Sequence, residues 1–264
     1  MKKEDIVLPP GTRVPHHIAI IPDGNRRWAR ARGKPTFFGH KKGFDVAPKI
    51  ARACRDFGVH TVTIWAFSTE NWKRSKEEVD YLMKLYEKFV DDHLRDAMKE
   101  NVKIVHLGRK DRIPKVLAKK MADAEEKTKA NSKYIMNIAL DYGGQDEVLR
   151  AIEKAQEDIA SGKIGPEKLS EVAYVDENGN NHYYLENYLD TAGEPYPCPD
   201  LLIRTSREQR YSGFLMWQGA YVEYYWEPDH FPDFTKEKLA AAIIDWSGRE
   251  RRFGGNGLTN NKIK

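Results

Sequence analysis

The stretch HHIAIIPDGNRRWARARG, residues 16–33, decides how the rest of the chain is read. Its apolar, β-branched run over 17–21 predicts a buried strand, which Pro22 and Gly24 bring to an end. Asn25 is placed to cap a short helix over Arg26 to Arg32, closed by Gly33. One carboxylate, Asp23, therefore stands at the mouth of a turn and is followed at once by arginines. Free helix N–H groups, a flexible glycine and cations together make an anion site. A plain strand–turn–helix in which Asp23 only caps would share the same tripeptide, so the remaining sequence has to discriminate.

Further strand-like runs fall at 60–67, 102–107, 134–140 and 200–204, and 213–226 joins a sixth strand to an aromatic-rich segment. Amphipathic helices separate them. Asp45 is placed to cap one through Phe57, with Pro48 in its first turn. Ser75 and Glu78 cap a long one that carries Val79, Leu82, Met83, Tyr86 and Val90 on one face. Residues 114–130 and 145–160 read as two more, whereas 161–199 is irregular and contains the loop DENGNNH. The alternation predicts an α/β fold: a central, mostly parallel six-stranded sheet flanked by helices. No repeat or linker divides the chain, so residues 1–264 are read as one domain, with 1–15 and 256–264 as flexible tails.

Of the 264 residues 40% are hydrophobic and 32% charged, which describes a globular protein with a charged surface. A net charge of +4 without a concentrated basic face argues against nucleic acid as a partner. The two cysteines, Cys54 and Cys198, have no metal-ligand spacing and suit a reducing compartment. There is no apolar run of the roughly 18 residues that would suggest a membrane span, and the N-terminal MKKEDIVLPPG lacks an apolar leader core, so the expected location is cytoplasmic.

Open α/β sheets bind ligands beyond the carboxyl ends of their strands. Three polar clusters fall there: Asp23 after the first strand, FSTENWKR (67–74) after the second, and RTSREQRYS (204–212) after the fifth. Two cation groups, one near Asp23 and one from Arg204 to Arg210, imply two anions, and arginine forks suit phosphate oxygens. Trp28, Phe37, Phe38, Phe67 and Trp72 are expected to line a greasy cleft beside them. The combination points to phosphorylated hydrocarbons.

At these residues the chain resembles the cis-prenyltransferases, the undecaprenyl diphosphate synthase family. The resemblance rests on HHIAIIPDGNRRWA, FGH (38–40), FSTENWKR, NIALDYGG (137–144), PDLLIRTSREQRYSGFLMWQGAYVEYYW and RERRFGG (249–255), in that order. It implies a homodimer that condenses isopentenyl diphosphate onto an allylic prenyl diphosphate with Mg2+. Carried over by position, Asp23 matches the catalytic aspartate that helps place the metal. Gly24, Asn25, Arg26 and Arg27 match the loop around the allylic diphosphate, with His40 and Arg74 as further contacts. Trp28 and Trp72 match aromatics beside the substrate, and Ser68, Thr69 and Glu70 the mobile loop. Asn71 matches a residue that assists proton removal, and Arg204, Arg210, Tyr211 and Ser212 the isopentenyl diphosphate site. Glu223 matches a metal-linked acid near the dimer interface.

The pattern departs at Thr36, where many relatives carry arginine, at Arg207 in place of glycine, at Gln209, where some have histidine, and at Gly213 in place of asparagine. These departures leave open a single prenyl transfer to another acceptor. Two further alternatives are a trans-prenyltransferase and a non-catalytic partner subunit. Against the first, Asp91 and Asp92 are followed by Arg95 where a DDxxD motif needs an acid; against the second, Asp23, Arg204 and Arg210 are retained. The phosphate loop of many nucleotide-binding enzymes, GxxxxGK[ST], does not occur. A polyprenyl product would be insoluble in water, so peripheral membrane contact is expected.

Overall fold

The strand His17–Ile21 (β1) is buried along its whole length at the centre of a six-stranded sheet. The computed structural model describes residues 6–251. The expected tail 256–264 and the last residues of RERRFGG, 252–255, lie outside them, as do residues 1–5. In chain order β1 is followed by helices α1 (Asn25–Arg30) and α2 (Thr36–Asp56), strand β2 (Thr61–Ser68), helix α3 (Lys76–Lys99) and strand β3 (Val102–Leu107). Helix α4 (Lys115–Thr128), strand β4 (Tyr134–Tyr142) and helix α5 (Gly144–Ala160) come next. A hairpin of β5 (Val172–Val175) and β6 (Asn181–Tyr183) precedes β7 (Leu201–Arg204), β8 (Glu223–Trp226) and helix α6 (Lys236–Ser247).

The main sheet has the order β3-β4-β2-β1-β7-β8, and every pairing in it is parallel. From β1 the chain builds outward on one side through β2 and later on the other through β7. The carboxyl end of β1 is thus the point where the sheet splays open. On one sheet face Ile18, Ile20, Val62, Ile64 and Ile203 pack on α2 and α6, while Ile104, Ile138 and Leu140 pack on α3 and α4. The opposite face, with Ala19, Ile21 and Leu202, is covered mainly by Phe214, Leu215 and Val222 from the turns between β7 and β8. Both cysteines are free, and Cys54 is buried in the α2 core.

Several expectations need correction. The first short helix is capped by Gly24 in a left-handed conformation, with no side-chain cap, and Asn25 is its first residue. Helix α2 begins at Thr36, a full nine residues before Asp45. Packing drives that extension: Gly39 and Gly43 face α1 so closely that a Cβ on Gly39 would lie 1.9 Å from the Asn25 carbonyl oxygen. The irregular 161–199 stretch contains the β5–β6 hairpin, whose first strand is exposed throughout. The segment 213–226 does combine a strand, Glu223–Trp226, with an aromatic-rich stretch, and that stretch is made of turns. Residues 6–15 are no tail among the described residues: Ile6, Leu8 and Val14 pack on the core, and the Arg13 guanidinium donates to the Ser247 carbonyl at 2.7 Å.

Because α2 starts early, Pro48 lies inside it rather than in its first turn. The missing N–H leaves the Phe44 carbonyl without its helical donor, a defect worth up to about 3 kcal/mol. Pro48→Ala should therefore raise the urea-unfolding free energy by about 1–3 kcal/mol. An unchanged or lower midpoint would show that Pro48 is accommodated by its surroundings without this cost.

Candidate active site

Leaving β1, the chain turns at Asp23 and Gly24. Gly24 has φ +95°, and a Cβ there would lie 1.8 Å from Ser206 Oγ and 2.5 Å from His230 Nδ1, so only glycine fits. The Asp23 carbonyl accepts from Thr205 Oγ1 at 2.7 Å and Ser206 Oγ at 2.9 Å, which joins the ends of β1 and β7. Asp23 Oδ1 accepts from the Gly24 N–H at 2.6 Å and from Arg27 at 3.0 Å, while Oδ2 accepts from Arg204 at 2.9 Å. Burial alone would raise the Asp23 pKa, but the hydrogen bond and charge of Arg204, with help from Arg27, bring it below the usual carboxylate value. Asp23 is ionised at neutral pH.

Arg204 is almost fully buried and donates also to Ser212 Oγ at 2.9 Å and to the Arg210 carbonyl, with its Nε unpartnered. Arg27 continues the array to Glu208 at 2.6 Å, and Glu208 also receives Arg210. The two cation groups expected from the sequence are therefore one contiguous set of charges. This loop holds Ser206, Arg207, Ser212 and Leu215 at positive φ, a conformation that costs non-glycine residues energy and is common at functional sites.

A second charged group lies across the opening. Glu78 accepts from His40 at 3.0 Å and Arg74 at 3.3 Å, with Arg26 at 3.9 Å. Burial holds the His40 pKa below its usual value despite the opposing pull of Glu78, which keeps the ring neutral at pH 7. Arg30, one turn beyond Arg26, also lines the cavity, and no ion pair or side-chain hydrogen bond holds it among the described residues. From the third side comes the loop after β2. The Ser68 N–H donates to Asn71 Oδ1 at 3.1 Å, and Ser68 Oγ donates to the Glu70 carboxylate, which lowers the Glu70 pKa.

Behind these groups a cavity of about 730 Å3 runs between α2 and α3, floored by the sheet. Its charged mouth holds Asp23, Arg26, Arg27, Arg30, His40, Glu70, Asn71, Arg74, Arg204 and Ser212, together with Gly24, Asn25 and Ser68. Its depth is apolar: Phe44 and Ala47 of α2, Leu82, Tyr86 and Phe89 of α3, Ile64, Met136 and Ile138 of the sheet.

Other predicted residues lie elsewhere. Trp28 donates its indole N–H to Asp233 at 2.8 Å beneath Arg32, and Trp72 donates to Asp141 at 2.8 Å and packs on buried Phe67. Neither ring lines the cavity, because a buried indole needs an acceptor and each has one behind the site. Phe37 and Phe38 are exposed, as is Tyr211; Arg210 points outward on its bond to Glu208, and Thr69 is off the cavity wall. Glu223 pairs with Arg249 at 2.9 Å and lies beside Leu201, three residues before the end of β7 where Arg204 meets Asp23. At roughly 3.3 Å per residue that offset is about 10 Å, so one chain does not bring Glu223 to Asp23.

The structure also supplies two groups that the sequence reading missed. Asp141, fully buried at φ 52°, receives Trp72 and two Arg112 hydrogen bonds of 2.8 and 2.6 Å. Glu147, 1% exposed, accepts from Tyr142 at 2.5 Å, Gln218 at 3.0 Å and the Asp190 N–H at 3.0 Å. It fixes the segment that carries Ser212. Asp141 lies within the NIALDYGG motif, just beyond the 134–140 run, but the sequence reading gave it no role; Glu147 had no signal.

The family profile described as "Putative undecaprenyl diphosphate synthase" matches residues 21–254. An isoprenyl transferase of Bacillus thuringiensis subsp. konkukian is 44% identical over 242 residues, covering 92% of this chain and 89% of the relative. One of Clostridium perfringens is 42% identical over 252 residues, with 96% and 94% covered. Among solved structures, lavandulyl diphosphate synthase from Lavandula x intermedia in complex with dimethylallyl diphosphate aligns with a TM-score of 0.83 and 34% identity, over 91% of this chain and 98% of that one. A probable undecaprenyl diphosphate synthase from Campylobacter jejuni gives 0.69 and 29% identity, over 92% and 99%. The chain belongs to the undecaprenyl diphosphate synthase family of cis-prenyltransferases and is a prenyl-transferring enzyme.

Burial, and then the charge of Asp190, raise the Glu147 pKa to about 7 from an ordinary 4.5. A raised folded-state pKa means that the folded protein holds the proton more tightly, so this group favours folding below pH 4.5 and loses that contribution as pH rises to about 7. Glu147→Gln should therefore be relatively more stable at pH 8 than at pH 4, by roughly 3 kcal/mol at most. A constant gap between the two unfolding curves across that range would contradict the assignment.

Proposed function

We propose that the enzyme condenses isopentenyl diphosphate onto an allylic prenyl diphosphate such as farnesyl or geranylgeranyl diphosphate, and repeats the step to give a long-chain polyprenyl diphosphate. One observation carries this reading: charged groups and an apolar slot line one continuous cavity. A diphosphate with a hydrocarbon tail matches both halves.

Ionising an allylic C–O bond puts negative charge on the departing diphosphate and positive charge on carbon. Arg26, Arg27, Arg30 and Arg74 stand where the first is stabilised, and the apolar walls keep water from the second. Arg204 and Ser212, with Arg210 swinging from Glu208, hold the second diphosphate, and Asn71 lies within the same mouth to assist proton removal.

Magnesium fits this donor set. It takes one or two carboxylates plus substrate phosphate oxygens, and Asp23 offers an ionised carboxylate at the cavity mouth. Bound there, the metal would neutralise charge on the diphosphate. Among the described residues no three acids, histidines or cysteines gather to hold a metal alone, so the substrate supplies the remaining oxygens in this reading. A metal-linked role for Glu223 then requires a second copy, consistent with a homodimer through the aromatic segment 217–226, where Tyr221 is 54% exposed. No helix among the described residues is long and apolar enough to cross a membrane, and we assign a cytoplasmic enzyme that meets the membrane from its surface.

With Mg2+, farnesyl diphosphate and isopentenyl diphosphate, mass spectrometry of the products should show a ladder spaced by single isoprene units, and Asp23→Ala should lower turnover by about three orders of magnitude or more. A single adduct, or turnover only with another acceptor, would replace chain elongation by single prenyl transfer. Arg30→Gln should raise KM for the allylic substrate several-fold and leave that for isopentenyl diphosphate within twofold, roughly the loss of one exposed charge-assisted contact. A shift confined to isopentenyl diphosphate would reverse the assignment of the two anion positions.

A further inference from the structure

Between Arg26 and Phe44 the chain carries seven lysines and arginines and no acid. Arg26, Arg27 and Arg32 are taken up by Glu78, by Asp23 and Glu208, and by Asp233. Lys34, Lys41 and Lys42 are exposed and make no ion pair among the described residues. They surround two side chains that the cavity does not use. Phe37 and Phe38, 45% and 44% exposed, stack at 4.8 Å at the start of α2, with Tyr81 of α3 edge-on to Phe37. Lys34 sits over the Phe38 ring at 5.8 Å. Helical spacing sets Lys41 beside Phe37 and Lys42 beside Phe38, each four residues on. Two adjacent exposed phenylalanines ringed by unpaired lysines are costly in water unless something covers them.

The same two helices contribute to the cavity mouth: Arg26 and Arg30 come from α1 and His40 from α2. We propose that this corner is the surface by which the enzyme docks on an anionic lipid bilayer, with Phe37 and Phe38 entering the headgroup boundary and Lys34, Lys41 and Lys42 meeting lipid phosphates. Charge complementarity selects that occupant. An apolar tip inside a one-signed basic ring matches a surface that is anionic outside and apolar beneath. A second copy of this chain would instead set its own lysines against these. Two exposed acids limit the basic field on the Tyr81 side: Asp45 on the following turn of α2, and Glu77, four residues before Tyr81 on α3. The proposal rests on the proposed function in one respect: a lipid product growing in the slot has its exit beside this surface.

The test measures partition of the full chain onto sedimenting vesicles of phosphatidylcholine alone and of phosphatidylcholine mixed with phosphatidylglycerol. The wild type should bind the mixed vesicles and scarcely the neutral ones, with binding lost at high salt. Each lysine near the surface is worth about fivefold in affinity, so the triple change Lys34→Gln, Lys41→Gln, Lys42→Gln should weaken binding on the order of a hundredfold. Phe37→Ser should weaken binding to the mixed vesicles several-fold at low salt. Both variants should keep prenyl transfer in detergent with short primers, which shows that they fold. Equal binding by wild type and variants, or no preference for anionic vesicles, would overturn the proposal. A change in sedimentation coefficient without a change in vesicle binding would assign the patch to a second copy and also overturn it. Lysine-dependent vesicle binding by an enzyme that makes no ladder would support this surface while the elongation reading fails.

Discussion

The carboxylate of Asp23 lies between two guanidinium groups, Arg27 on one oxygen and Arg204 on the other, and the mouth of the cavity is organised around that triple contact. Arg204 could not be buried where it is without a counter-charge, because removing one partner of a buried pair costs about 3–5 kcal/mol. Asp23 in turn is held below the usual carboxylate pKa by Arg204 and Arg27, against the opposing effect of burial. Arg204 is thus desolvated and paired before any ligand arrives, whereas the Arg27 side chain is 41% exposed. A phosphate that reaches Arg204 meets a guanidinium already stripped of water, which lowers the desolvation cost at that one contact.

That contact is possible because β1 and β7 are parallel neighbours and end together, Ile21 beside Arg204. Parallel pairing sends every loop of functional interest to the same edge. The glycines of α2 do the complementary task. By letting α1 lie directly on α2 they set the charged turn against the top of the apolar slot, so one rigid body presents both the head and the tail site.

Strands at the sheet centre were legible because burial on both faces demands continuous β-branched runs, and Asp23 and Arg204 were legible because they directly follow such runs. The start of α2 was not. Thr36, Phe37 and Phe38 are weak helix formers, and the helix they open is fixed by the close approach of Gly39 and Gly43 to Asn25, which no local pattern records. The β5–β6 hairpin escaped notice because its strands are short and exposed, with no buried face to impose alternation. The tryptophans were misplaced for a chemical reason: Trp28 and Trp72 read as ligand-facing aromatics, yet their N–H groups turn to Asp233 and Asp141. Glu147 sits in the first turn of α5, where an acid ordinarily reads as a solvent-facing charge favoured by the helix dipole, and only the fold shows that Tyr142 and Gln218 close over it.

The tie from Trp72 to Asp141 has a consequence for how the loop after β2 can move. Arg112 clamps Asp141 from the other side, so the indole is a fixed pivot, while the Ser68–Asn71 and Ser68–Glu70 hydrogen bonds stiffen the tip. Ordering a free segment of this length would cost about 1–2 kcal/mol per residue. Here that entropy is already lost on folding. On the proposed function, the loop would meet its ligands as a preformed arm turning about one ring, and differences in affinity between substrates would reflect the contacts they make rather than the cost of assembling a lid.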